Sequence, residues 1–517
     1  MLPRMRSRTL ILISLLLASF AINLDTTIVN VALPALVREL HATTTQLQWV
    51  VDAYNLVFAS LLLAAGSLSD RVGRKGMLLG GLAVFGLGSL AGGLTGTPGE
   101  LIAARCFMGL GAAMVFPATL SLISNVFTER AERARAIGMW GATAGVAIAL
   151  GPIVGGWLLA NFSWTSIFFA MVPVAGLAAA LVALSVPRSA DPNAPRIDRP
   201  GFAFSTAAMS LLIYTIIEAP DHGWASARSI GGFALSSALF AAFIAWERHA
   251  AEPMLDIGLF PNPRFTAASA AVTVAFFSLF GFIFLMTQYF QFLRHYSALS
   301  TGVHLLPVAT SVGIASVLGT RLAVRFGAKL VVTAGLAAVA VFYGWVSTAS
   351  PTTNYATIAA QMVLYGVGMG LTSAPATEAI MGVVPLHKAG VGSAVNDATR
   401  LLGGTLGVAV IGSVYASLYS TRLTGTAPAA LPGALAGTAH QSIGAALAVA
   451  DHLSAAGAGR LAAGLHDAAF GAFMHGMSAG CLVAGGVAVA GAVAAALMLP
   501  AHPHTAVSSP EALQPAS

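Results

Sequence analysis

Asp25 stands inside a long apolar run, in the stretch AINLDTTIVNVALP that covers 21–34. A charge at the centre of a bilayer costs about 2.5–3.5 kcal/mol on insertion scales, so an acid kept there is paired or functional. Asp52 lies in a second run, on a stripe with Gln48 and Asn55 at i, i+4 and i+7, flanked by Trp49 and Tyr54. Arg105 is the basic residue of the run 100–124. All three fall in the same half of their segments, which places them as neighbours. Their chemistry is a carboxyl that holds either a proton or a cation, beside a guanidinium. That guanidinium serves as counter-ion or helps to couple proton movement, and both roles stay open, as does a purely structural pairing of Asp25. Glu378, about one turn after Pro375, is a further candidate for proton exchange. Asp397 and Arg400, at i and i+3, are expected to close a local ion pair.

The elements that must position these residues are membrane helices. The chain of 517 residues is 57% hydrophobic and only 9% charged. Its mean hydropathy is +0.82. Soluble domains carry about 25% charged residues. Runs of about 20 apolar residues recur along nearly the whole chain, each long enough to cross the hydrocarbon core. Lipid offers the backbone no hydrogen bonds, so such runs are helices. The 55 glycines suit close helix packing. Cys106 and Cys481 lie far apart in apolar runs, where they pack; they suit neither a disulfide nor a metal site. The basic start MLPRMRSR followed by an apolar stretch resembles a signal peptide. That stretch continues to Leu33, so it is expected to stay as a span.

Fourteen spans are predicted, at 9–33, 46–68, 77–95, 100–124, 134–160, 165–187, 201–219, 229–247, 264–293, 301–323, 328–349, 354–382, 390–418 and 469–499. Segment 188–200 is polar and proline-rich and is expected to be a cytoplasmic linker. Segment 419–468 is expected to be a long extracytoplasmic loop, in part an interfacial helix, and 501–517 a disordered tail. With a cytoplasmic N-terminus, most Lys and Arg face inward, including Arg71, Arg74, Lys75, Arg130, Arg321 and Arg325. This asymmetry puts both termini in the cytoplasm and supports an even number of spans.

An internal repeat is visible. GSLSDRVGRK at 66–75 recurs as TRLAVRFGAK at 320–329, and GLGAAMVFPA at 109–118 as GVGMGLTSAPA at 366–376. The organisation predicted is a six-helix bundle over 1–187, two inserted helices over 201–263 and a second six-helix bundle over 264–500. Repeated bundles of six helices are a transporter arrangement, with the binding site between them. Asn30, Trp49, Asn55, Tyr289 and Gln291 are candidates to line that site. The helix of Tyr289 and Gln291 also carries Phe276, Phe277, Phe280, Phe282, Phe284 and Met286. Aromatic faces attract lipophilic cations and Met adapts to varied shapes. Phe on several sides of one helix cannot all face one cavity, and packing or lipid contact is the expected role of most of them.

In combination these motifs resemble the major facilitator superfamily, specifically its fourteen-helix drug:proton antiporters of the EmrB/QacA type. GSLSDRVGRK is similar to the superfamily loop between helices 2 and 3. LDTTIVNVALP resembles the helix-1 motif of the subfamily, and RCFMGLGAAMVFP the helix-4 motif, with Arg105 as its basic residue. GATAGVAIALGPIVGG resembles the antiporter motif, carried here by Gly145, Gly151, Pro152, Gly155 and Gly156. PATEAIMGVVP and GVGSAVNDATRLLGGTLG resemble the subfamily's helices 12 and 13. The stretch WTSIFFAMVP departs from the family pattern at Thr165, Ser166 and Met171. The resemblance implies that Gly66, Asp70, Arg71, Gly73 and Arg74 form a cytoplasmic gate latch between the bundles. The repeated copy has Val324 in place of the acid, so only the first copy should latch.

The resemblance implies an all-α transporter driven by the proton gradient, with no cofactor. Its partners are lipophilic small molecules, H⁺ and membrane lipids, with no nucleic acid, and a monomer is the expected functional unit. The expected function is proton-coupled export of lipophilic, often cationic, drugs or toxic compounds. The alternative is export of an endogenous metabolite, lipid or self-made antibiotic by the same mechanism. An ATP-driven pump is disfavoured: none of Lys75, Lys329 and Lys388 sits in a G-x-x-x-x-G-K-[ST] loop. A membrane enzyme is disfavoured because no H-E-x-x-H or other catalytic cluster is present.

Overall fold

The computed structural model describes residues 2–189, 198–251, 253, 255, 257–384 and 389–500. Most of the expected linker, all of the expected tail 501–517, and the side chain of Asp70 lie outside the described residues. Among the described residues, seventeen α-helices follow one another: α1 (Leu2–Leu40), α2 (Thr44–Val72), α3 (Arg74–Gly93), α4 (Pro98–Val126), α5 (Arg130–Asn161), α6 (Ser166–Ser185), α7 (Arg199–His222), α8 (Ala227–Glu247), α9 (Pro263–Gln288), α10 (Ala298–His304), α11 (Leu306–Phe326), α12 (Ala328–Val346), α13 (Tyr355–Met381), α14 (Ala389–Thr426), α15 (Gly433–Gln441), α16 (Ile443–Ala455) and α17 (Gly459–Met498). Polar residues open several of them. Thr43 and Gln46 form a capping box at α2, and Thr97 and Glu100 another at α4. Among the described residues, eleven spans are long and apolar enough to cross a membrane. The helices α2, α5 and α13, of 29, 32 and 27 residues, fall outside that set.

The same pairings recur in two sets of helices. In the first, α1 packs on α5 and α6, α2 on α4, and α3 on α4 and α6. In the second, α9 packs on α14 and α17, α11 on α13, and α12 on α13 and α17. The repeated loop shows why the sequence repeats. Gly73 (φ 119°) joins α2 to α3 and Gly327 (φ 87°) joins α11 to α12, both in a region that favours glycine. Between the sets, α2 meets α14 and α5 meets α10. The pair α7–α8 lies outside, with α7 against both α2 and α14.

Three segments differ from the sequence reading. The expected loop 419–468 is largely helical: α14 continues to Thr426, α15 and α16 follow, and α17 begins at Gly459. Ser442 caps α16 through the amide of Ala445, and Ile443, Ala446, Val449, Ala450 and Leu453 bury one face of it. That amphipathic face packs on α17 and α1. The expected single helix 301–323 breaks at Leu305, because Pro307 in the first turn of α11 cannot donate a backbone hydrogen bond. The expected helix 264–293 ends its regular winding at Gln288 and continues as a π turn over Tyr289–Leu293.

Candidate functional site

Arg105 of α4 points into the first set and joins three helices. Its Nη1 lies 2.5 Å from Asp25 Oδ2 on α1, and its Nε donates to the Val50 carbonyl on α2 at 3.0 Å. The guanidinium stacks 4.2 Å above the Tyr54 ring, and the Tyr54 hydroxyl donates to the Ile22 carbonyl. Both charged side chains are 1% exposed. Gly109 makes the approach feasible, since a Cβ there would fall 2.6 Å from the Tyr54 carbonyl oxygen.

Asp52 does not join this pair. It is fully buried, and neither carboxylate oxygen has a hydrogen-bond partner. The amide of Asn55 is likewise buried without partners. Gln48, on the same face, donates from Nε2 to the carbonyls of Val408 and Ala409 and to Ser413 Oγ, all on α14. The polar stripe of α2 therefore faces the second set, while the carbonyl of Val50 on another side of the helix receives Arg105.

A cavity of about 480 Å³ lies between the sets. Asn23 and Thr26 of α1 and Trp140 of α5 form part of its wall. Opposite them stand Phe276, Phe280 and Ile283 of α9, Thr377 of α13, and Asp397 and Arg400 of α14. Asn30, Trp49, Asn55, Tyr289 and Gln291 do not line it, contrary to expectation. Asn30 donates within α1 to the Thr26 carbonyl, and Trp49 Nε1 donates to Glu218 on α7. Tyr289 donates to the Ser350 carbonyl. Gln291 donates to the Val31 carbonyl across the sets at 2.9 Å. Gln291, Gln48 and Thr44, which donates to the Gln441 carbonyl, seal one end of the molecule. That is the end where α1 finishes and α2 begins, and the described hydrogen bonds between the sets all lie there.

Glu378 is also displaced from its expected place. It is exposed, in the last turn of α13. Thr377 and Ser373 carry the cavity face of that helix, and the next residue turns about 100° away from it. The local ion pair expected for Asp397 and Arg400 does not close. Arg400 Nη2 donates to Thr377 Oγ1 at 3.2 Å, and the guanidinium stacks on Phe276. The sequence showed both residues, but not that a neighbouring helix would offer Arg400 a different partner.

The antiporter-motif residues of α5 work in two directions. Gly151 abuts Thr27 and Gly155 abuts Ile28, both on α1. A Cβ on Gly156 would fall 2.6 Å from the Ala298 carbonyl oxygen on α10, and the Pro152 carbonyl fills the space beside Gly302. Gly145 lies within α5. In the loop motif, Gly66 approaches Pro117, Arg71 is exposed, and the backbone amide of Arg74 donates to the Ser189 carbonyl at 2.9 Å.

Known proteins share this architecture. The model of the Major Facilitator Superfamily matches residues 15–408. The multidrug resistance protein Stp of Mycobacterium tuberculosis is 36% identical over 428 residues, covering 83% of this chain and 79% of Stp. The multidrug efflux pump LfrA of Mycolicibacterium smegmatis is 34% identical, covering 80% and 84%. The tetracenomycin C resistance and export protein of Streptomyces glaucescens is 31% identical, covering 93% and 89%. Among solved structures, an inward-facing bacterial homologue of the human lysosomal transporter Spinster superposes with a TM-score of 0.67 at 15% identity, covering 95% of this chain and 97% of that one. Two repeated sets of helices enclosing a cavity, together with these matches, lead to one conclusion: the chain belongs to the Major Facilitator Superfamily.

Proposed function

We propose that this protein is a proton-driven exporter of lipophilic, often cationic, drugs or toxic compounds in the bacterial cytoplasmic membrane. The observation that carries the reading is the cavity between the two sets, apolar for most of its wall and sealed at one end. The names of the relatives Stp and LfrA support it. Counting α10 and α11 as one crossing and leaving α15 and α16 outside the bilayer gives fourteen crossings. These form one bundle of α1 to α6, an inserted pair α7–α8, and a second bundle of α9 to α14 with α17. Both termini are then cytoplasmic, the sealed end faces outward, and the cavity lies on the cytoplasmic side of the seal.

Buried acids do the coupling in this reading. Asp52 lacks any donor or cation, so a proton is the partner that makes its burial affordable. Asp25 balances Arg105, and protonating it frees that guanidinium to move with α4. The loop residues Gly66, Asp70, Arg71, Gly73 and Arg74 latch the cytoplasmic face when the outer seal opens. Alternating exposure of one central site then exchanges inward H⁺ for outward substrate. Everted vesicles holding the full chain, with a fluorescent lipophilic cation added outside them, test this. Uptake must need an imposed pH difference and stop with an uncoupler; uptake indifferent to both overturns the proposal.

A further inference from the structure

Asp397 and Arg400 are the only charged groups among the described residues that line the cavity. They stand one helical turn apart on α14, where side chains at i and i+3 are about 5–6 Å apart at Cβ. Arg400 turns instead to the neighbouring helix α13. Arg400 Nη2 donates to Thr377 Oγ1, and the Thr377 hydroxyl donates to Asn396 Oδ1 at 3.1 Å. Arg400 Nε has no acceptor at all. A buried donor left in this state is costly, and an acceptor brought by a ligand relieves it.

We infer that the cavity selects lipophiles carrying two groups: a positive centre read by Asp397 and a negative or strongly accepting group read by Arg400. This rests on the export reading above and narrows its substrate class from simple cations to amphoteric molecules. A plain cation placed against Asp397 is repelled by the nearby guanidinium, so the two effects offset each other. A molecule with both charges gains from each, and charge-assisted hydrogen bonds are about twice as strong as neutral ones. Phe276, Phe280 and Leu401 supply the apolar wall beside the pair.

Two dyes that differ at one group test the inference. Rhodamine 6G is a lipophilic cation with an ethyl ester; its free acid is a zwitterion. Transport of each is measured in energised everted vesicles holding the full chain, with vesicles lacking it as the permeation control. The expected result is that Arg400→Gln lowers the acid-to-ester transport ratio about tenfold. Arg400→Lys keeps part of the ratio, and Asp397→Asn lowers transport of both dyes. An unchanged ratio in Arg400→Gln overturns the inference. Should that variant not fold, dye binding to the purified wild-type protein decides: tighter binding of the acid supports the inference and tighter binding of the ester overturns it. Transport of the ester without the acid sinks this inference alone, whereas transport of neither dye sinks the export reading with it.

Discussion

Asp25 and Arg105 form an ion pair 2.5 Å long, 1% exposed on both sides, that links the first helix of the chain to the fourth. Removing one partner strands the other charge, which typically costs about 3–5 kcal/mol. Asp25→Asn and Arg105→Gln should each lower the thermal unfolding temperature in detergent and abolish proton-driven efflux. The double variant should regain most of the stability but none of the efflux. Recovery of efflux along with stability would reduce the pair to a structural role.

Asp52 should behave in the opposite way. With no partner to lose, Asp52→Asn removes a buried charge site at little cost, and stability should change by no more than about 1 kcal/mol. Substrate binding should persist while pumping against a gradient disappears. Binding by dye quenching, set beside uphill transport in vesicles, separates the two; intact uphill transport would rule Asp52 out as proton carrier.

The crossing of α5 and α10 depends on small residues, because Gly156 and Gly302 bring backbone against backbone. Gly156→Val and Gly302→Val should pry open the sealed end. Cysteines introduced near Val31 or Gln291 should then label faster with a membrane-impermeant thiol reagent, and transport should fall at least about tenfold, as expected for overpacking at a close contact. Unchanged labelling would mean that this crossing does not control the seal.

Glu378→Gln should leave transport within about twofold of wild type, because exposed substitutions rarely matter. A loss as large as that of Asp25→Asn would return this acid to the coupling machinery.

Much of the architecture was legible before any coordinates. Low charge and long apolar runs required membrane helices, and the two copies of the loop motif foretold the recurrent pairing around Gly73 and Gly327. The meeting of Asp25 with Arg105 was also within reach, since two buried opposite charges at one depth have strong reason to pair.

What lay out of reach was rotation and partner choice. Composition places Glu378 in an apolar run, but one residue of helical phase turns it outward while Thr377 faces the cavity. The polar character of Tyr289 and Gln291 is plain in the chain, yet whether such groups line a cavity or lock a seal depends on the carbonyls opposite them. Ser350 and Val31 supply those carbonyls from distant segments. Arg400 has an acid one turn away along its own helix, and only packing against α13 offers it Thr377 instead. The sequence by itself determined that the chain is built of long apolar helices for a membrane and which polar residues they carry, because transfer from water depends on composition. The tertiary structure decided which of those residues meet, because a buried polar group bonds to whatever lies within about 3 Å of it in space.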